Sequence, residues 1–389
     1  MKRHVVIIGA GVIGASIAYH LSRLGMRVTV LDAEGPAAGA SGASDSAVSI
    51  ATKSPGHVME LAIHSKAYYS ELAQPSGPLH NAYHERSTFL VAENDAEIEV
   101  LMTRAACLKQ SGVSVRELEG SALRTALPEL RQGIPLVLEV LNEGHARGYQ
   151  VVDSFLNAGA VEIRRNTPVN RIEFAADSSR CIGISSNGSL ISADDVIVAA
   201  GTGSGHLLNG INIQPQCGQL IITDRSDLPG SFPGTLCFAN YLVAKSRQVK
   251  TEESQDTSAS GRSLVINPLG TGQFLIGSTR VNGGDPSYTE FDAVQHILSQ
   301  AIQYVPRLAE LDVIRVFTGI RAKTTDGTPI VGQIPGTHGL WVATGLDGDG
   351  ICLAPIVGRE LSKLMVGESC LPDFSRLNPD RFSSIQAVL

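Results

Sequence analysis

The sequence predicts a two-domain α/β protein, with a parallel-sheet domain assembled from distant segments of the chain and a second domain of mixed sheet. Three observations predict this. A β-branched run from Val5 to Ile8 passes through a glycine turn into a helical pattern that reaches Leu24, and then into a second run from Arg27 to Leu31. Short apolar runs on either side of a 3.6-residue periodicity read as strand, helix, strand, with the strands buried on both faces. The strand-then-glycine junction recurs at Asp195 to Ala200, and at Gly339 to Thr344 before a third glycine cluster. Between Pro215 and Arg315 the texture changes to alternating segments, Gln219 to Thr223 and Gln273 to Ser278 among them, that read as an antiparallel sheet.

Residues 56 to 74 and 95 to 112 read as helices, and Ser87 to Ala92 and Arg164 to Phe174 as strands. Because the three junctions lie far apart, the first domain should draw on residues 1–80, 145–214 and 316–389, leaving 81–144 and 215–315 for the second. Lys250 to Gly261 is polar and rich in small residues, which reads as an exposed loop. With 389 residues, 43% of them hydrophobic, the chain has ample material for a buried core. Its 31 basic and 38 acidic residues give a net charge of -7 with no basic run, which argues against a nucleic-acid partner. No apolar stretch approaches the ~20 residues of a membrane-spanning helix. The first apolar run begins at Val5, leaving no room for a signal peptide, and a cytoplasmic location is expected, peripheral to the inner membrane only through a partner. Six cysteines without a C-x-x-C pair signal neither zinc nor an iron–sulfur cluster. Forty glycines exceed the ~7% of ordinary usage, and their clusters mark sharp turns or close backbone approach.

Gly9-Ala10-Gly11-Val12-Ile13-Gly14 is G-x-G-x-x-G set between a strand and a helix, with Asp32 ending the next strand. In such a unit the first glycine makes the turn and the second admits a pyrophosphate to the helix N-terminus. The third lets helix and strand pack closely, and the terminal acid accepts from ribose hydroxyls. The strand–helix–strand context makes this a Rossmann-type dinucleotide site, with Val12, Ile13 and Ala33 beside it. Ser41-Gly42-Ala43-Ser44 offers small residues and hydroxyls where an extended cofactor would pass, although alone it also reads as an ordinary polar loop. Val196 to Gly201 repeats the strand-to-glycine logic, which a simple nicotinamide domain does not need.

Taken in order, these motifs resemble the D-amino acid oxidase (DAO) superfamily of flavoproteins, which includes glycine oxidase, sarcosine oxidase and dye-linked amino acid dehydrogenases. The resemblance spans most of the chain: Gly9 to Gly14, the Ser41 to Ser44 segment, Val196 to Gly201, Gly218-Gln219, Gly319 to Pro329, Ala343 to Ile351 and Leu353 to Pro355. Thr52 to Gly56, Ile276 to Arg280 and Gly348 to Ile351 are similar to the catalytic β subunits of proline, hydroxyproline and opine dehydrogenases and of hydrogen cyanide synthase. The resemblance implies an FAD-binding domain of the glutathione-reductase-like kind, roofed by a mixed-sheet substrate domain. It also implies oxidation of the C–N bond of an amino acid or amine by hydride transfer to flavin N5, giving an imine. Electrons would pass to a partner subunit carrying any iron–sulfur cluster, or to oxygen in a self-contained oxidase. The FAD should be non-covalent, because Arg321 to Gly327 lacks the cysteine and Leu31 to Ser44 the histidine of covalent members.

By the same resemblance Arg321 pairs with the substrate carboxylate and Tyr241 assists, while an arginine closing a turn and a core tyrosine remain the plain readings of the residues. Cofactor contacts fall on Gly9, Gly11, Val12, Ile13, Gly14, Asp32, Ala33, Ser41, Gly42, Ser44, Val169, Ala200 and Gly201. They continue at Gly345, Leu346, Asp347, Gly348, Asp349, Gly350 and Ile351, which would lie against the flavin ring. A helix starting near Ala354-Pro355 would aim its positive end at the ring. Asp347 and Asp349 read as an acid–base pair or as turn-forming Asp-Gly. The chain departs from the family at Leu346 (usually histidine), Ala322 (proline), Lys323 (a small residue) and Gly148 (proline). A changed substrate pocket or a non-catalytic flavoprotein are both compatible with these departures.

Overall fold

The computed structural model describes residues 2–176, 179–240, 242, 262–382 and 385–387. Tyr241 and the Lys250 to Gly261 segment lie outside the described residues. A six-stranded sheet runs in the order Ile330–Gln333, Leu340–Thr344, Asp195–Val198, His4–Ile8, Arg27–Leu31, Glu162–Arg164. All its neighbours are parallel except the Ile330–Gln333 edge, which forms an antiparallel pair with Leu340–Thr344. His4–Ile8 is buried throughout, as a strand covered on both faces must be. The chain leaves this strand to one side, toward Arg27–Leu31, while Asp195–Val198 pairs on the other. That divergence is the topological switch at which open parallel sheets bind ligands.

The second sheet is mixed. Its order is Leu346–Asp347, Val313–Thr324, Ile213–Thr223, Phe274–Thr279, Arg262–Pro268, Gly234–Phe238, Tyr83–Ala92, Leu136–Ala146, Ala47–Val48. Gly234–Phe238 runs parallel to Tyr83–Ala92, and the other neighbours in this path are antiparallel. The expected strand from Arg164 to Phe174 is two: Glu162–Arg164 joins the first sheet, and Arg171–Phe174 a separate three-stranded sheet. Between them the chain bends as Asp32 accepts the Thr167 N–H through its backbone carbonyl at 2.8 Å.

The helix Val12–Arg23 packs against both Gly148–Ala158 and Gly350–Met365 beside the first sheet. The last begins four residues before Ala354, so Pro355 lies inside it and not at its entrance. A proline there removes the N–H that would bond the Ile351 carbonyl. Tyr69, on the His57–Leu72 helix, replaces it: its hydroxyl donates to that carbonyl at 2.6 Å, and Ser65 donates to the next, Cys352, at 2.6 Å. Tyr69 is fully buried, and leaving either group unpaired there would cost ~1 to 3 kcal/mol. The same helix meets Val12–Arg23 closely, since a Cβ on Gly358 would stand 2.2 Å from Ser16 Oγ and 2.9 Å from His20 Nδ1.

His20 Nδ1 meets the Ser16 carbonyl at 2.7 Å, and its Nε2 the Tyr68 hydroxyl at 2.9 Å. Burial holds its pKa down at about 4, and burial beside Arg86 holds His145 down at about 2. Both imidazoles therefore stay neutral in the fold while those of the unfolded chain protonate below about 6.5. Stability should be fully present above pH 6.5 and fall as the pH drops toward 4, by up to about 1.4 kcal/mol per pH unit for each histidine. Urea unfolding midpoints across pH 7.5 to 4.5 check this, and His20→Gln should flatten the profile.

Candidate active site

The glycine turn at the switch is built from contacts too close for a side chain. Gly9 has φ of +109°, and a Cβ there would lie 2.4 Å from the Ala199 carbonyl oxygen. At Gly14 it would lie 2.0 Å from the Gly9 carbonyl oxygen. Gly11 differs: its Cβ would meet only Ser41 Oγ, at 3.3 Å. Its lack of a side chain therefore serves the open space beyond it, at a helix N-terminus whose first N–H, Val12, donates to Ser41 Oγ at 2.9 Å. Asp32 braces the same turn, accepting from the N–H groups of Ala10, Glu34 and Gly35 at 2.8 to 2.9 Å.

These residues wall a cavity of about 410 Å³. Gly9, Gly11, Val12, Ile13, Asp32, Ala33, Ser41, Val169, Ala200, Gly201, Gly345, Leu346, Asp347 and Gly350, all among the candidate cofactor contacts, line it. Gly14 and Gly42 do not; each instead allows a tight backbone approach, Gly42 to the Ala37 carbonyl, where a Cβ would stand at 2.3 Å. Ser44, Gly348 and Ile351 line an adjoining narrow cleft with Arg321, and Val12, Ser41, Asp347 and Gly350 border both spaces. A larger surface cleft, about 810 Å³, opens beyond Glu34 and Ala38 and shares only those two residues with the cavity. Thr344 locks the wall, donating to the Gly201 carbonyl and accepting from Ser204, both at 3.0 Å. His206 and Thr167 also line the cavity and were not legible in sequence, having no motif of their own, and Ile320 lines it from within the Gly319 to Pro329 motif. A long cavity that opens at a helix N-terminus and is narrowed by glycines fits a dinucleotide.

Arg321 projects from Val313–Thr324 on the same face as its cross-strand partner Gln216. Its guanidinium donates to the Thr279 carbonyl at 3.2 Å and to Ser278 Oγ at 3.1 Å. It reaches them across Gly218, where a Cβ would stand 2.4 Å from Arg321 Nη1. A second arginine escaped the sequence reading, although it closes the Ile276 to Arg280 segment singled out there. Arg280 donates to Gln216 Oε1 at 3.0 Å and meets Asp347 Oδ2 at 3.4 Å. Asp349 does not line the cavity; it pairs with buried Lys53, Nζ to Oδ1, at 2.9 Å. The two aspartates thus face different cations and do not form an acid–base pair. Lys53 is held there by a loop whose N–H groups at Ile50 and Ala51 both donate to Glu143, a buried carboxyl that burial pushes above its ordinary pKa.

The departures from the family pattern have local reasons. Gly148 starts its helix flush against Ser41, whose carbonyl oxygen would lie 1.9 Å from a Cβ. Ala322 pairs with Asp347 and Lys323 with Leu346 across the sheet; Ala322 and Leu346 line the cavity, while Lys323 does not.

Comparison with known proteins identifies the class. A family model described as FAD dependent oxidoreductase (DAO) matches residues 4–364, and the chain belongs to that family. It is 28% identical to a glycine oxidase of Pseudomonas aeruginosa, over 96% of this chain and 97% of that one. It is 26% identical to the hydrogen cyanide synthase subunit HcnC of Pseudomonas protegens, over 95% and 93%. An L-proline dehydrogenase structure from P. horikoshii shares the fold with a TM-score of 0.83 at 18% identity, covering 98% of each chain. The protein is an FAD-dependent oxidoreductase. Among the described residues no helix is long and apolar enough to cross a membrane, and no cluster could hold a metal ion.

The second and third glycines of the motif should separate by variant. Gly11→Val has extended backbone and one close neighbour, the Ser41 hydroxyl, at 3.3 Å from the Cβ, so the protein should still fold, with at most a small fall in the apo melting temperature, yet purify without flavin colour. Gly14→Val should fail to fold. Flavin absorbance per mole of protein and circular-dichroism melting check both.

Proposed function

We propose that the chain oxidises the C–N bond of an amino acid or secondary amine, in the class of glycine, proline, hydroxyproline and opines, with non-covalent FAD held by the unit built on the six-stranded sheet. When bound, FAD supplies the two-electron acceptor. The observation that carries the reading is the Arg321 guanidinium. It is fastened to Ser278 and Thr279 and borders the cleft that joins the cofactor cavity at Val12, Ser41, Asp347 and Gly350. A planar guanidinium so fixed is suited to a two-point contact with a carboxylate, which orients the neighbouring C–H toward the cavity. The glycines at 218 and 319 keep that sheet face low: a Cβ at Gly319 would press on the Ala43 carbonyl oxygen at 2.8 Å. Tyr241, outside the described residues, is proposed to assist Arg321. No protein base is required, because a neutral amine lone pair can drive departure of the hydride.

Arg321→Lys keeps the charge and loses the fork. With a charge-assisted hydrogen bond worth ~1.5 to 3 kcal/mol, apparent affinity for carboxylate-bearing amines should fall about 10- to 150-fold while FAD content stays unchanged. Anaerobic flavin reduction over a series of amines checks it; equal losses with and without the carboxylate would assign Arg321 to the fold or the flavin.

We further propose that electrons leave through an electron-accepting partner subunit. The near full-length likeness to HcnC, itself a subunit of a larger enzyme by name, supports this. The isolated chain should therefore reduce an artificial dye much faster than oxygen. Oxygen consumption at the full dye-coupled rate would show a self-contained oxidase instead.

A further inference from the structure

The helix Gly350–Met365 begins with an aspartate that does not cap it. Asp349 occupies the N-cap position, where a carboxylate ordinarily accepts from the first N–H groups of its own helix, yet its side chain makes no such bond. Its Oδ1 meets Lys53 Nζ at 2.9 Å instead. Lys53 is only 4% exposed, and a buried ammonium deprived of its carboxylate is strongly destabilising, so each charge holds the other in place.

The lysine is placed by contacts from two other elements. Glu143, on Leu136–Ala146, accepts from the N–H groups of Ile50 and Ala51, the latter at 2.6 Å, and Arg104, on Asp95–Gln110, donates to the Lys53 carbonyl oxygen. The Lys53 N–H donates to the Ile50 carbonyl at 3.0 Å and closes the turn that carries it. On the far side of the pair, Gly350 lines both the cavity and the cleft, and a Cβ there would meet only Leu346 and Val12, each at 3.9 Å. Asp349 itself lines neither space. The start of the helix therefore stands open to the space that takes FAD, while the charged side chain one residue earlier is drawn to Lys53.

We propose that Lys53 is a positioning residue for the cofactor. By binding Asp349 it withholds that carboxylate from the helix N-terminus, and so reserves the first N–H groups of Gly350–Met365 and the positive end of the helix for the electron-rich edge of the flavin ring. Gly11 and Asp32 claim the pyrophosphate and ribose, which leaves this end of the cavity to the ring. The role rests on the placement of non-covalent FAD read above and is independent of which amine is oxidised. Without Lys53 the carboxylate turns onto its own helix, fills that place and repels the charge the ring gains on reduction.

FAD affinity is read from the fluorescence of flavin released on serial dilution of the holoprotein, and the midpoint potential from dye-equilibrated reductive titration. Lys53→Met keeps the reach and apolar contacts of the side chain and removes its charge. It should weaken FAD binding about 5- to 30-fold, the worth of one N-cap bond, and lower the potential. Reduced FAD should lose more affinity than oxidised FAD, and a tenfold greater loss reads as a fall of ~30 mV for a two-electron couple. Adding Asp349→Ala removes the competing carboxylate, so the double variant should regain the parent affinity and potential. A lysine that only supported the fold would give a double variant no better than the single one. Parent-like affinity and potential in Lys53→Met, or a double variant as impaired as Lys53→Met, would overturn the role. If Lys53→Met does not fold, Asp349→Asn against Asp349→Ala decides. Asparagine, no longer held by charge, caps the helix, so Asp349→Asn should bind FAD more weakly than Asp349→Ala, and equal affinities would overturn the role. Flavin colour that stays with acid-precipitated protein would overturn the non-covalent reading instead, and the potentials of the same variants would then decide the role of Lys53.

Discussion

Backbone packed on backbone at the Gly9 to Gly14 turn is the constraint from which the rest of the molecule follows. Gly9 lies against the carbonyl of Ala199 and Gly14 against the carbonyl of Gly9, so neither position has room for a methyl group. The contact joins the first strand to one that follows it by nearly two hundred residues, and Ala199 N–H donates to the Ile8 carbonyl at 2.8 Å to close it. Because these groups satisfy one another, the strand ends sit side by side with a helix N-terminus between them. Thr344 then ties the third glycine cluster to the second through Gly201. The cavity is what remains between three backbone turns that cannot come closer.

The wall opposite is held by buried polar groups that compensate one another. Pro355 deprives a helix carbonyl of its donor, and Tyr69 supplies one from a neighbouring helix. Glu143 gathers two N–H groups of the loop that carries Lys53, and Lys53 pairs with Asp349 at the N-cap of the helix containing Pro355. A buried polar atom left unpaired costs more than a new contact returns, which makes such a series of contacts rigid. The N-terminus of Gly350–Met365 is thereby fixed at the border of the cavity and the cleft, where Gly350 lines both.

Departures from a family pattern gain meaning from their placement. Ala322 and Lys323 lie far from Leu346 in sequence, yet the sheet register pairs Ala322 with Asp347 and Lys323 with Leu346, and Ala322 and Leu346 both line the cavity. Arg280 reaches the same region from another strand. The glycine turn, Asp32 and Ser41 keep their contacts beside these changes.

The sequence by itself determined the parallel sheet, the mixed second sheet and most of the cavity lining, because local rules govern them: β-branched runs form strands, and glycines at fixed spacing can only be turns of close approach. The motif around Arg321 marked that residue as a candidate, and its role remains the proposal made above. What only the tertiary structure decided are the residues whose role depends on a partner far along the chain. Gly42 turned out to serve packing, Asp349 a buried ion pair, and the helix to begin at Gly350 in spite of Pro355, because Tyr69 answers the missing N–H. Arg280 carries no local signal, since an arginine after a strand is ordinary until the register of Ile213–Thr223 against its two neighbours brings it beside Arg321. Spacing along a chain encodes what one element does, and only the pairing of elements decides which charges meet.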